Sequence, residues 1–119
     1  MRRMILVVDD DPAVLQSYGR LLRRLGCQVV LSEDSEKVRT DPDSLCGVDL
    51  LILDQRMPKT TGLDLLASLR RRGAGVAGCF PAVILISAFL SDDLRERASR
   101  LGVAEVIEKP INTAHLLES

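Results

Sequence analysis

Uninterrupted apolar runs punctuate the chain at residues 4–8, 50–53 and 82–86. Short runs rich in Val, Ile and Leu fit strands buried on both faces, as in a parallel sheet. Residues 27–31 and 103–107 are weaker runs and read as edge strands. Between the runs the apolar period becomes helical. Val14, Tyr18, Leu21, Leu22 and Leu25 share one helical face, opened by Asp11-Pro12 and closed by Gly26. An Asp N-cap, Pro at the first helical position and Gly at the end form a start-and-stop signature. Gly62, Leu65, Leu66 and Leu69 mark a second helix, ending in Arg70, Arg71, Arg72 and Gly73. Leu94, Ala98 and Leu101 mark a third, with Ser91 as its cap, Asp92 and Asp93 in its first turn and Gly102 behind it. Residues 32–46 should hold a further helix, interrupted by Asp41-Pro42.

The resulting order, βαβαβαβαβα, predicts an α/β, doubly wound parallel sheet with helices on both faces and right-handed crossovers. Ligands in such folds bind beyond the carboxyl ends of the strands. Residues 72–81 are Gly-rich and read as a long surface loop.

Composition narrows the chemistry. With 119 residues there is room for one domain. Sixteen Lys and Arg against 17 Asp and Glu leave a net charge of −1, which gives no bulk attraction to nucleic acid or an anionic membrane. One His and no Trp exclude a histidine metal cluster and an aromatic base-stacking platform. Cys27, Cys46 and Cys79 form no CxxC pair and read as reduced thiols serving as small apolar fillers. The apolar start is too short for a signal peptide or a membrane span, so the expected compartment is the cytoplasm. Arg23-Arg24 and the Arg70 to Arg72 run lie at helix C-termini, where basic groups favour the macrodipole, and read as solvated ends rather than DNA contacts.

The residues behind the strands carry the chemistry. Asp9, Asp10 and Asp11 follow the first run, Asp54 the third, Ser87 the fourth, and Lys109-Pro110 the fifth. Each alone has a bland reading: a helix start (the reading preferred for Asp11), a turn residue, a strand terminator. Together they bring carboxylates, a hydroxyl and an ammonium to one crevice. Clustered carboxylates need a cation, and an oxygen-only ligand set suits magnesium, which keeps waters for phosphate oxygens. A carboxylate can attack phosphorus to give an aspartyl-phosphate, with positioning and charge neutralisation supplying most of the acceleration.

Leu6-Val7-Val8-Asp9-Asp10, Leu51-Ile52-Leu53-Asp54 with Met57-Pro58, Ile86-Ser87-Ala88 and Glu108-Lys109-Pro110 together resemble a receiver domain of two-component response regulators. The resemblance covers residues 1–119. It implies a flavodoxin-like (βα)5 fold with its five-stranded parallel sheet in the order 2-1-3-4-5. It implies that Asp54 is the phosphoacceptor, that Asp9, Asp10 and Asp54 bind magnesium, Asp10 more directly than Asp9, and that the main-chain carbonyl of Arg56 completes the set. Ser87 matches the hydroxyl switch residue and Lys109 the phosphate-contacting lysine, with a cis bond to Pro110. The donor would be a phosphohistidine on a sensor histidine kinase or histidine phosphotransfer protein. The chain would be a signalling domain rather than an enzyme, catalysing only its own phosphorylation and dephosphorylation. It would bind neither nucleic acid nor membrane directly. The only histidine, His115, is read as a surface residue of the last helix.

Several positions depart from the family pattern. Val106 stands where Tyr or Phe is common, which removes a ring-flip readout but leaves a Ser87 loop shift. Arg56 and Phe89 would flank the phosphoryl group and restrict attacking water, giving a long-lived phosphoryl state. The turn Thr60-Thr61-Gly62 carries no functional reading. The last helix, residues 112–119, would be only about 12 Å long. The expectation is therefore a fragment of a longer regulator or hybrid kinase. Phosphorylation would change the surface of the fourth helix, fifth strand and fifth helix, with a phosphorylation-dependent homodimer as one outcome.

Other readings fit less well. A haloacid-dehalogenase phosphatase needs a second acid where Arg56 stands. An FMN binder needs a hydroxyl- and Gly-rich loop where three aspartates stand, and no GxxxxGK[ST] loop exists. The alternative that stays open is a pseudo-receiver, a protein-interaction module independent of phosphorylation.

Overall fold

The structure is a computed structural model and describes residues 3–41, 43–72 and 80–109. Five strands and four helices alternate: β1 (Met4–Val8), α1 (Pro12–Arg24), β2 (Gln28–Ser32), α2 (Ser35–Thr40), β3 (Leu50–Asp54), α3 (Gly62–Arg71), β4 (Ala82–Ser87), α4 (Asp92–Arg100) and β5 (Glu105–Glu108). All strand pairs are parallel, in the order β2-β1-β3-β4-β5. The expected last helix, His115, Cys79, the interior of the Gly-rich loop and the Lys109–Pro110 bond lie outside the described residues.

Alternation along the central strands sorts their side chains onto two faces. Ile5, Val7, Ile52, Ile84, Ile86 and Ile107 meet Leu15, Tyr18 and Leu22 of α1. Leu6, Val8, Leu51, Leu53, Val83 and Leu85 meet Val38 of α2, four leucines of α3, and Ala98 of α4. Both faces are covered, which is why these strands read as continuous apolar runs. Fully burying one such side chain stabilises the fold by about 1.5–3 kcal/mol.

Helix α1 begins as expected. The Asp11 carboxylate accepts the Ala13 N–H at 2.9 Å, Pro12 follows it, and Gly26 closes the end with φ +84°. Its buried stripe differs from expectation: Leu15, Tyr18, Gly19 and Leu22 are buried, while Leu25 is 52% exposed. Leu25 is the C-cap, beyond the last turn that faces the sheet. Helix α2 is the short one. Asp34 caps it through the Glu36 and Lys37 N–H groups, and it ends at Asp41. Strands β2 and β5 sit one or two residues later than their weak apolar runs indicate. Cys27 is half-buried against the α1 face, but Cys46 is exposed, so the filler reading fails for Cys46. Arg23, Arg24, Arg70 and Arg71 occupy last helical turns as expected, and Arg70 also stacks on Phe80 at 4.2 Å. No described helix is long and apolar enough to cross a membrane.

Candidate functional site

The parallel register delivers the polar residues to one end of the sheet. Asp9 leaves β1 while its N–H still donates to the Ser32 carbonyl at 3.1 Å. Asp54 and Ser87 are the last residues of β3 and β4, one residue further along than the apolar runs reach. Lys109 follows β5, and its N–H donates to the Ser87 carbonyl at 2.8 Å.

Carboxylate oxygens of Asp9, Asp10 and Asp54 lie within 4.8 Å of one another. Asp9 and Asp54 are buried and Asp10 is exposed, so the cluster has a closed floor and an open side. The Lys109 Nζ lies 3.1 Å from Asp54 Oδ1. That contact is an ion pair without hydrogen-bond alignment, and the buried Oδ1 accepts no aligned hydrogen bond. Burial pushes the Asp9 carboxyl up from 3.8 to about 6, and the charge of Asp54 adds to the rise. The Asp11 N–H, which donates to Asp9 Oδ1 at 3.0 Å, and the charge of Lys109 act in the opposite direction. Three carboxylates, with no thiolate or imidazole among them, are a donor set that suits a hard divalent cation.

Ser87 closes the cluster's flank. Its hydroxyl donates to the Phe89 carbonyl at 2.8 Å and accepts the Phe89 N–H at 3.3 Å. The Phe89 ring is 76% exposed. A groove of about 370 Å³ beside it is lined by Gln55, Arg56, Met57, Ser87, Phe89 and Leu94, among others. Val106 is half-buried and pairs in register with Leu85. On the α1 side, Tyr18 is buried and its hydroxyl bonds to no described residue. Burial, then the charges of Asp9 and Asp54, push that phenol well above its usual range.

Asp9, Asp10, Asp54 and Lys109 therefore meet at one site, Ser87 is tied to it through the Lys109 N–H, Asp11 caps α1, and Pro110 lies outside the described residues. Sequence reasoning missed the turn that follows Asp54. Thr61 caps α3 by accepting the Asp64 N–H at 3.1 Å, and a Cβ on Gly62 would sit 2.6 Å from the Asp54 carbonyl oxygen. The signal was present: Thr61 with an acidic residue three positions on resembles a capping box. Gln55, between the acceptor candidate and Arg56, carried no signal at all.

Residues 5–119 match the response regulator receiver domain family. The chain is 33% identical to the transcriptional regulatory protein CpxR of Escherichia coli over 95% of this chain and 45% of CpxR. It is 31% identical to the response regulator protein TodT of Pseudomonas putida over 96% of this chain and 48% of TodT. It thus spans less than half the length of either regulator. A response regulator receiver protein from Pseudomonas putida superimposes with a TM-score of 0.85 at 27% identity, covering 99% of this chain and 94% of that one. The alternating topology, the acidic end of the sheet and these likenesses agree: the chain belongs to the receiver domain family of two-component response regulators.

Proposed function

We propose that this domain accepts a phosphoryl group on Asp54 in a magnesium-dependent reaction. The observation that carries the reading is the convergence of Asp9, Asp10 and Asp54 within 4.8 Å, with Lys109 Nζ 3.1 Å from Asp54. An Asp54 carboxylate oxygen attacks the phosphorus of a phosphohistidine on a sensor kinase or phosphotransfer protein. The O–P bond forms, the N–P bond breaks, and the leaving imidazole takes up a proton. Asp9, Asp10 and the Arg56 carbonyl would hold magnesium, which neutralises charge on the phosphoryl oxygens. Lys109 holds another phosphoryl oxygen as a point charge.

Ser87 then has a choice of partner. Its hydroxyl leaves the Phe89 carbonyl and donates to a phosphoryl oxygen, which pulls the loop before α4. The surface of α4 and β5 changes as a population shift, sized by the difference in stability between the two states. With Val106 in place of an aromatic, the loop movement itself carries the signal.

Intact-mass spectrometry after incubation with a small-molecule phosphodonor, with and without magnesium, tests the reading. The expected result is one added phosphoryl group, dependent on magnesium and absent in Asp54→Asn. A folded, magnesium-binding chain that no phosphodonor or histidine kinase labels would instead be a phosphorylation-independent interaction module.

A further inference from the structure

The turn after β3 is held largely by one residue, Gln55. An α-helix begins with backbone N–H groups that have no partner within the helix. In α3 the first three are all satisfied from outside. The Gly62 N–H donates to the Gln55 carbonyl at 3.0 Å, the Leu63 N–H donates to Gln55 Oε1 at 3.0 Å, and the Asp64 N–H donates to Thr61 Oγ1 at 3.1 Å. Gln55 thus takes two of the three. Its own N–H donates across the sheet to the Ile86 carbonyl at 2.8 Å. One residue therefore ties β3, β4 and α3 together, and it stands between Asp54 and Arg56. The loop it spans is pinched once more, where Arg56 and Thr61 form an isolated antiparallel bridge.

We infer that Gln55 is a positioning residue for the cation and phosphoryl pocket, its side-chain amide fixing the Arg56 carbonyl and the Asp54 backbone against the start of α3. This rests on the function proposed above, in which both flanking residues serve the pocket. The main-chain bonds of Gln55 are open to any residue type. The bond from Leu63 to Oε1 is not: an apolar side chain at this position leaves the Leu63 N–H without its acceptor. The peptide between Gln55 and Arg56 would then be held on one side only, and the carbonyl that follows would lose its fixed direction. Groups that orient a ligand without touching the metal are worth about 10–100-fold in metal affinity.

Gln55→Met keeps the length of the side chain and removes the acceptor; Gln55→Glu keeps an acceptor oxygen. Two quantities would be measured on the 119-residue chain: hydrogen exchange at the Leu63 amide without metal, and the Kd for magnesium by calorimetric titration. The expected result for Gln55→Met is loss of Leu63 protection together with magnesium binding weakened about tenfold, the lower end of that range. Gln55→Glu should restore both. Should Gln55→Met not fold, Gln55→Asn, one methylene too short to reach Leu63, removes the same bond. A deprotected Leu63 with unchanged magnesium affinity overturns the inference and leaves a purely structural cap. Absence of magnesium binding already in the wild type overturns the functional reading, and this inference with it.

Discussion

The two strand-to-helix corners beside the proposed acceptor, Asp54, are held to different degrees. After β3, the chain turns into α3 under tight control: Gly62 is seated against the Asp54 carbonyl, Gln55 and Thr61 hold the first N–H groups, and five residues of the helix are buried. After β4, the chain turns into α4 with less burial to hold it, although Ser91 caps the helix by accepting the Leu94 N–H at 3.1 Å. The Ser87 hydroxyl bonds only within its own loop, Phe89 stands in solvent, and Ala98 is the one buried residue of the helix. Both corners present a candidate functional side chain from the last residue of a strand. The difference teaches that the site has a tightly held wall and a loosely held one. The carboxylates need the first, because their mutual repulsion would spread a loose cluster. A switch needs the second, because elements that move are drawn from the weakly held parts of a structure.

The most direct way to break this comparison is to remove equal volume from each helix. Leu66→Ala empties a fully buried position in α3 and should cost about 3 kcal/mol in chemical denaturation. Leu94→Ala in α4 removes a half-buried side chain and should cost about 1 kcal/mol or less. Equal losses would mean that α4 is as firmly docked as α3.

A second test concerns the charge that the tightly held wall confines. Asp9 titrates near 6 in the folded chain against 3.8 ordinarily. Between those values the folded state binds more protons than the unfolded one, so stability falls as pH rises through the window. Asp9→Asn should flatten that slope and raise Tm at pH 7 by about 4 °C. An unchanged slope would place the acid-range titration elsewhere.

In the groove between the two corners, lined by both Arg56 and Phe89, the expected effects are kinetic. Phe89→Ala and Arg56→Ala should each leave stability within about 0.5 kcal/mol. Each should speed loss of the phosphoryl group about threefold, less than 1 kcal/mol of barrier, as followed by the decay of phosphorylated mass. Slower decay would show that these side chains do not shield the phosphoryl group from water.

The smallest effect sharpens the picture. Arg97 of α4 pairs with Asp64 of α3, but the two side chains are 48% and 54% exposed. Asp64→Asn should cost about 0.5 kcal/mol or less, and less still in high salt. A larger loss would make this pair a bolt between the two walls.

Most of the architecture was legible because burial on both faces leaves a strong mark. Strand β1 lies where its apolar run predicts, and β3 and β4 overrun theirs by one residue, because Asp54 and Ser87 are polar yet still in register. Strands β2 and β5 are edges, where half-exposed positions dilute the pattern, and their bounds shift accordingly. Strand-end position made Asp9, Asp54, Ser87 and Lys109 visible, since topology alone brings those points together. Gln55 was invisible because its role depends on where Leu63 returns in space. The exposed state of Cys46 was equally hidden, for a thiol in a turn has no periodicity to betray its side.

Tyr18 has a practical consequence of a different kind. The chain has no tryptophan and a single tyrosine, so its near-ultraviolet absorption and emission come almost wholly from one ring packed between α1 and the sheet. That signal reports the docking of α1. Any motion of the opposite corner, around Phe89, would be optically silent. Titrations followed by intrinsic fluorescence would therefore register unfolding faithfully and could pass over the switching event altogether, unless a second fluorophore is placed there, as in Phe89→Trp.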